Sequence, residues 1–312
     1  MAKPGIPHRL RLSKGVHILL PLDSDETKDA ILIPKTEDGR VIFAIPWLGR
    51  FLVGTTDDEA QLGDEMIVTR AEAEYLLRHL NRYLVKPLGI EQIVSGIAGV
   101  RPLVASSDAR NTKKLIREHE VEFDSESGLI SILGGKWTTH RAMAEDTINA
   151  VQRYLGLAVT ASPTVRYPLS GSEGYNSEYG TTLAKHYGIP SGTAEHLAEK
   201  FGTNAPRVLE IAEQDARWKS PIVSGLAPIQ AEIVYSVQQT MAMTIEDVLA
   251  RRVGLQLYSW QASVTAAPVV GLVLAELLNW STTEKQHRVE EYVNKIAHLM
   301  KSIGLVPQLI NA

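Results

Sequence analysis

Cysteine is absent from all 312 residues, which excludes disulfides, thiolate metal sites and a cysteine nucleophile and fits a reducing compartment. A basic excess is missing as well. The 36 acidic and 32 basic side chains leave a formal charge of -4, so nothing in the balance points to nucleic acid, and any bound anion must be met by local charge. The segment Met1 to Arg9 has no apolar stretch after its basic residues, so export is not expected and the cytoplasm is the default. The longest apolar run, Val264 to Ala275, is broken by Pro268 and Gly271 and followed by Glu276. It falls short of the ~20 residues that cross a bilayer and reads as a buried helix. No fixed-period repeat or low-complexity tract occurs. What is present is a hydrophobic content of 44%, enough for a sizeable core and two domains.

The first half reads as short strands. Residues 17–21, 30–34, 41–45 and 50–55 are β-rich runs separated by polar or Gly/Pro punctuation, which predicts an antiparallel meander. Thr69-Arg70-Ala71-Glu72 is a capping box, and Ala73, Leu76, Leu77, Leu80 and Leu84 keep helical spacing, so a helix is expected to run to about Val85. An apolar stretch from Ile90 to Val104 follows, then a charged segment near Val121 and a strand at 129–133 that ends at Gly134-Gly135. Thr138 and Thr139 are placed to cap a helix reaching Leu155, stopped by Gly156. A turn-rich linker over 157–174 then separates residues 1–158 from a helical domain over 159–312. Helices are expected there at 178–187, 193–201, 206–212, 228–242, 245–252, 266–279 and 283–302.

Four features carry candidate chemistry. Gly134-Gly135-Lys136-Trp137-Thr138 lets backbone approach a ligand and presents the N–H groups of the following helix, a favourable setting for an anion or electron-rich carbonyl; read alone, the better account is a tight turn with a surface lysine. Arg101 lies in an apolar stretch, where a guanidinium needs an anionic partner, either a ligand phosphate or a structural carboxylate. His17 begins an apolar strand; it is either a structural residue or a proton acceptor for an alcohol. Gly54-Thr55-Thr56-Asp57-Asp58 offers hydroxyls to a polar ligand or simply closes a turn.

Five blocks in register go further. KGVHILLP from Lys14, VIFAIPWLGRFLVGTTDDEA from Val41, GIAGVRPLV from Gly96, GLISILGGKWTTHRAMAEDTIN from Gly128 and MAMTIEDVLARR from Met241 resemble the aerobic FAD-dependent glycerol-3-phosphate dehydrogenases, from about Leu10 to the C-terminal helices. The resemblance implies oxidation of sn-glycerol 3-phosphate to dihydroxyacetone phosphate, with electrons passed through FAD to membrane quinone. It implies that Arg101 holds the substrate phosphate and that Lys136 lies beside substrate and flavin. His17 lies near the reacting hydroxyl, with the choice of base between His17 and Lys136 left open. Gly134, Gly135, Lys136, Trp137 and Thr138 would cover the flavin pyrimidine edge, and no metal is expected.

The family opens with a GxGxxG turn that grips the ADP part of FAD, and no GxGxxG occurs in this chain. The expected fold is therefore α+β: a mostly antiparallel substrate-binding sheet with a remnant of an FAD-binding domain, then an α-helical C-terminal domain. The chain is expected to act as a partial or split enzyme, with an N-terminal FAD-binding partner chain and a homodimer as candidate assemblies, at the inner face of the cell membrane. The alternative is a non-catalytic helical interaction module with a vestigial oxidoreductase sheet.

Overall fold

The structure is a computed structural model that describes residues 10–22, 29–61, 63–104 and 118–307. The Met1–Arg9 segment, read above for a leader, lies outside them. The longest strand, β1 (Leu10–Pro21), organises the first sheet. It begins well ahead of His17 because one whole edge pairs antiparallel with β6 (Ser95–Val104), from Leu10↔Val104 to Leu19↔Ser95. Its other edge is shared. β4 (Arg50–Gly54) pairs with His17 to Pro21, and β5 (Asp58–Ala60) pairs with Leu12 to Lys14. From β4 the sheet extends to β3 (Ile42–Trp47) and then β2 (Ile31–Ile33), again antiparallel; the last three of the four expected runs form the meander, whereas the first, in β1, lies beside the fourth and not beside the second. β5 went unforeseen because Asp58 and Glu59 carry no strand preference.

Alternation along the strands gives the sheet two different faces. Val16, Ile18, Leu20, Ile42, Ala44, Phe51 and Val53 are buried, and α1 (Arg70–Leu80) covers this side with Ala73, Leu76, Leu77 and Leu80. The predicted capping box is formed: Thr69 Oγ1 accepts from the Glu72 N–H at 3.3 Å and the Glu72 carboxylate accepts from the Thr69 N–H at 2.8 Å, an arrangement worth about 1 kcal/mol. The helix ends at Leu80, not near Val85. Asn81 turns the chain away, donating to the Leu88 carbonyl and accepting from its N–H, each at 2.9 Å.

A second, two-stranded sheet is formed by β7 (His119–Phe123) and β8 (Ile130–Gly134), and a turn leads from it into α2 (His140–Tyr154). The strand, glycine turn, helix unit is present as read from the sequence. None of the residues in β7, β8 or α2 is buried. Beyond the linker come α3 (Tyr179–Tyr187), α4 (Ser191–Phe201), α5 (Ala205–Gln214), α6 (Ala231–Thr240), a π-helical segment at Asp247–Arg252, α7 (Leu255–Tyr258), α8 (Trp260–Leu278) and α9 (Thr282–Ser302). The α+β architecture with a helical C-terminal part is as expected.

α8 is longer than the apolar run suggested. Ser259 caps it, accepting from the Ala262 N–H at 3.1 Å, and the helix continues through Pro268. With 19 residues and a mean hydropathy of 1.6, it is long and apolar enough to cross a bilayer by length and composition. In this fold it packs inward. Trp260, Val264, Ala267, Val270 and Leu274 are buried in the core, and an added Cβ at Gly271 would stand 2.5 Å from Val289 of α9, so the two helices meet closely at that glycine. The Trp260 N–H donates to the Val94 carbonyl at 3.0 Å and Ser95 Oγ donates to the Gln256 carbonyl at 2.8 Å, which ties the start of β6 to the helical half. A single apolar cluster therefore runs from Val16 of β1 to Trp260 and onward into α9.

Candidate active site

The residues singled out by sequence come from β1, β6, the segment joining β4 to β5, and the turn after β8. Strand register puts Ser13, Gly15 and His17 of β1 on one face, opposite Arg101, Gly99 and Ile97 of β6. Across the other edge Gly54 of β4 pairs with His17, and Phe43 of β3 pairs with Gly54. This is the face turned away from α1, because the neighbouring residues Val16, Ile18 and Val53 point into the core.

Two glycines set the positions of the two functional candidates. A Cβ on Gly54 would collide with the His17 ring, and a Cβ on Gly15 would collide with the Arg101 guanidinium. His17 thus lies over Gly54, and Arg101 lies over Gly15. Arg101 Nη2 donates to Thr55 Oγ1 at 2.9 Å, and Nη1 reaches the Thr56 carbonyl at 3.5 Å. The Thr55–Asp57 segment is itself stitched to β1: the Val16 N–H donates to Thr56 Oγ1 at 3.1 Å, and Ser13 Oγ donates to the Asp57 carboxylate. Burial first, and then the Arg101 charge, hold the His17 imidazole below its usual pKa. At neutral pH His17 is therefore uncharged, the form that accepts a proton.

Arg101 borders two cavities. One, of about 400 Å³, is lined by Arg40, Val41, Phe43, Thr55, Thr56 and Asp57 together with Arg101. The other, of about 630 Å³, is lined by Arg101 and Leu103 on one side and by Gly134, Gly135, Lys136, Trp137, His140 and Met143 on the other. His17 lines neither; it joins the site through Gly54 and through the Arg101 charge.

The Gly134-Gly135 turn needs both glycines. Their φ values are +69° and +80°, and a Cβ would stand 2.6 Å from Val104 Cγ2 at Gly134 and 2.5 Å from the Met143 side chain at Gly135. Lys136 follows on an exposed turn, and its ammonium has no ion-pair partner among the described residues. A 3₁₀ turn, Trp137–Thr139, precedes α2, and neither Thr138 nor Thr139 caps with its side chain; the Thr139 hydroxyl donates to the Lys136 carbonyl at 3.0 Å instead. The N–H groups of Trp137 and Thr138, at the start of this turn, consequently have no partner within it. Trp137 is 86% exposed and stacks on His140 at 5.5 Å between ring centroids. A wall of free N–H groups, an uncommitted ammonium and an exposed indole fits the electron-rich edge of a planar heterocycle such as a flavin.

Sequence reasoning missed Gly15, Phe43, Arg40, His140 and Met143 as site residues. Nothing in the Lys14-Gly15-Val16 triplet signals that Gly15 seats Arg101, since that depends on the β1–β6 register. His140 and Met143 could have been reached by counting helical positions after Gly135, as they stand on the first turn of α2.

Comparisons with known proteins identify the relatives of the chain. The family described as FAD dependent oxidoreductase matches residues 1–148, and the C-terminal domain of alpha-glycerophosphate oxidase matches residues 162–285, in tandem. The probable mitochondrial glycerol-3-phosphate dehydrogenase of Dictyostelium discoideum is 35% identical over 291 residues, covering 90% of this chain and 45% of the relative. The chain belongs to the FAD-dependent glycerol-3-phosphate dehydrogenase family. Glycerol-3-phosphate dehydrogenase 2 of Mycobacterium bovis is 33% identical, covering 92% of this chain and 49% of that dehydrogenase. In three dimensions the glycerol-3-phosphate dehydrogenase from Bacillus halodurans complexed with FAD superposes with a TM-score of 0.76 at 28% identity, over 97% of this chain and 60% of that one. The chain spans less than half the length of these curated dehydrogenases. FAD is the cofactor of the family.

Proposed function

We propose that this chain supplies the substrate-binding and flavin-covering part of an enzyme that oxidises sn-glycerol 3-phosphate to dihydroxyacetone phosphate and passes the electrons to membrane quinone at the inner face of the cell membrane. The observation that carries the reading is Arg101: a guanidinium held by two neutral oxygens, with no carboxylate paired to it among the described residues, on the wall of the cavity that also holds Lys136. A fixed guanidinium left short of an anion suits a phosphate. Oxidation of the secondary alcohol removes a proton and a hydride. Gly134 to Thr138 would hold FAD, which would supply the hydride acceptor. His17, neutral at pH 7, takes the proton, and the Lys136 ammonium stabilises negative charge developing on the substrate oxygen.

Residues 1–158 form the working part of this proposal and residues 159–312 the helical support. The open faces of α2 and its hairpin, in which no residue is buried, support reading the chain as one portion of a larger assembly. Without a GxGxxG turn the isolated chain is expected to hold FAD weakly, since that turn supplies the ADP contacts. Purification with stoichiometric, tightly bound yellow flavin would contradict this.

The test of function is anaerobic flavin reduction by glycerol 3-phosphate after the chain is combined with the family's N-terminal FAD-binding region. Arg101→Ala should raise the Michaelis constant for glycerol 3-phosphate at least about tenfold, the loss expected for a charged hydrogen-bonded contact, and should change oxidation of glycerol much less. An unchanged Michaelis constant removes Arg101 from the phosphate site. Absence of any flavin reduction in the combined protein favours a non-catalytic interaction module.

A further inference from the structure

The hydroxyl of Thr55 occupies an unusual place. It accepts the Arg101 Nη2–H at 2.9 Å and donates its own hydrogen to the Thr56 carbonyl at 3.0 Å. A hydroxyl has one hydrogen, and committing it to Thr56 fixes the rotor so that a lone pair faces the guanidinium. The same Thr56 carbonyl lies 3.5 Å from Arg101 Nη1, so the two oxygens address both terminal nitrogens of one planar group. Thr55 is anchored in turn: Thr56 Oγ1 accepts from the Val16 N–H at 3.1 Å, and Asp57 is bound by Ser13 Oγ, both on β1. Beneath the guanidinium, Gly15 has no Cβ to lift it off the sheet.

We infer that Thr55 is a positioning residue that orients the Arg101 guanidinium for an anionic ligand, with Gly15 as its seat; the link to substrate rests on the phosphate role proposed for Arg101. An arginine on a flexible stem loses rotamer freedom when it binds an anion, and a side chain already locked by two acceptors loses less. The lock uses neutral oxygens. A carboxylate in their place would neutralise the guanidinium and compete with the ligand, whereas a hydroxyl and a carbonyl hold it and leave its charge available. Among the described residues only Thr55 and Thr56 accept from Arg101, which leaves N–H groups for a ligand entering from either of the two cavities that the residue borders.

The chain itself supports the test, because hindered rotation about the Arg101 Cζ–Nη bonds is visible as separate guanidinium nitrogen resonances in NMR. In the wild type these should be resolved, with Arg101→Ala identifying them. Thr55→Val, which keeps the shape and removes the acceptor, should merge them, and Thr55→Ser should restore them. Titration with sn-glycerol 3-phosphate should then show roughly tenfold weaker binding for Thr55→Val and near wild-type binding for Thr55→Ser. Resonances unchanged in Thr55→Val, or merged equally in Thr55→Ser, overturn the inference. So does wild-type affinity in Thr55→Val when Arg101→Ala has lost it. If Arg101→Ala binds as well as wild type while Thr55→Val still merges the resonances, the positioning contact stands and the phosphate role of Arg101 falls.

Discussion

Lys136→Met, in the chain combined with the family's FAD-binding region, is expected to slow flavin reduction by about 10²–10³-fold at saturating glycerol 3-phosphate, the loss typical of a well-placed electrostatic group. Lys136 shares one cavity with Arg101, so a substrate whose phosphate rests on Arg101 brings its alcohol within the field of the ammonium. No carboxylate among the described residues neutralises that charge. Methionine keeps most of the stem and removes the cation, so binding through Arg101 should be largely kept and the defect should fall on the rate. Folding should be spared as well. Lys136 is exposed, its backbone stands at the head of a 3₁₀ turn, and its side chain packs against nothing in the core. An ordinary surface lysine would leave flavin reduction nearly normal in stopped-flow measurements, and that result would return the whole Gly134–Thr138 segment to a structural role.

Much of this site was legible in the sequence because its parts are local. The glycine turn, the lysine behind it and the helix that follows lie within a few residues, and the φ values of Gly134 and Gly135 are what the doubled glycine announces. The β-rich run at 41–45 and the Thr69–Glu72 capping box were equally local, and both were recovered. What sequence could not give is register. Arg101 meets Thr55 only because β6 pairs with β1 at Ser13↔Arg101 while β4 and β5 bring the Thr55–Asp57 segment alongside, contacts that join residues far apart in the chain. The same reason hides the role of Gly15. Helix ends were missed where a side chain redirected the chain, as at Asn81, or where a cap preceded the apolar run, as at Ser259. β7 was read only as a charged segment because its glutamates mask an alternation that shows once β8 lies beside it.

Glu232→Ala should be the most damaging single change in the helical half, costing about 3 kcal/mol and lowering the melting temperature by roughly 10 °C. The carboxylate is fully buried at the start of α6 and collects four contacts. His196 Nε2 approaches its two oxygens at 3.1 and 3.0 Å, Lys200 Nζ donates at 2.8 Å, and the Ile229 N–H donates at 3.0 Å. His196 and Lys200 belong to α4, so the cluster clamps α4 to α6, and Tyr258 of α7 faces the same charge, its hydroxyl pushed up to about 12 by burial and then by Glu232. Burial alone would raise the Glu232 pKa; the Lys200 ammonium and the His196 contact outweigh it, and the carboxyl is held below its usual 4.5. A lowered carboxyl pKa adds stability that is complete above the unfolded value and is lost as the pH falls through the folded one. Glu232→Gln, which keeps an acceptor for Ile229 and removes the charge, should therefore be less stable than wild type at neutral pH, with the gap closing on acidification below about pH 4.5. Denaturant titrations of the three proteins across that range decide the matter: an alanine variant within 1 kcal/mol of wild type at neutral pH, or a gap between wild type and Glu232→Gln that widens as the pH falls, would mean that the two helices are held by their apolar faces alone.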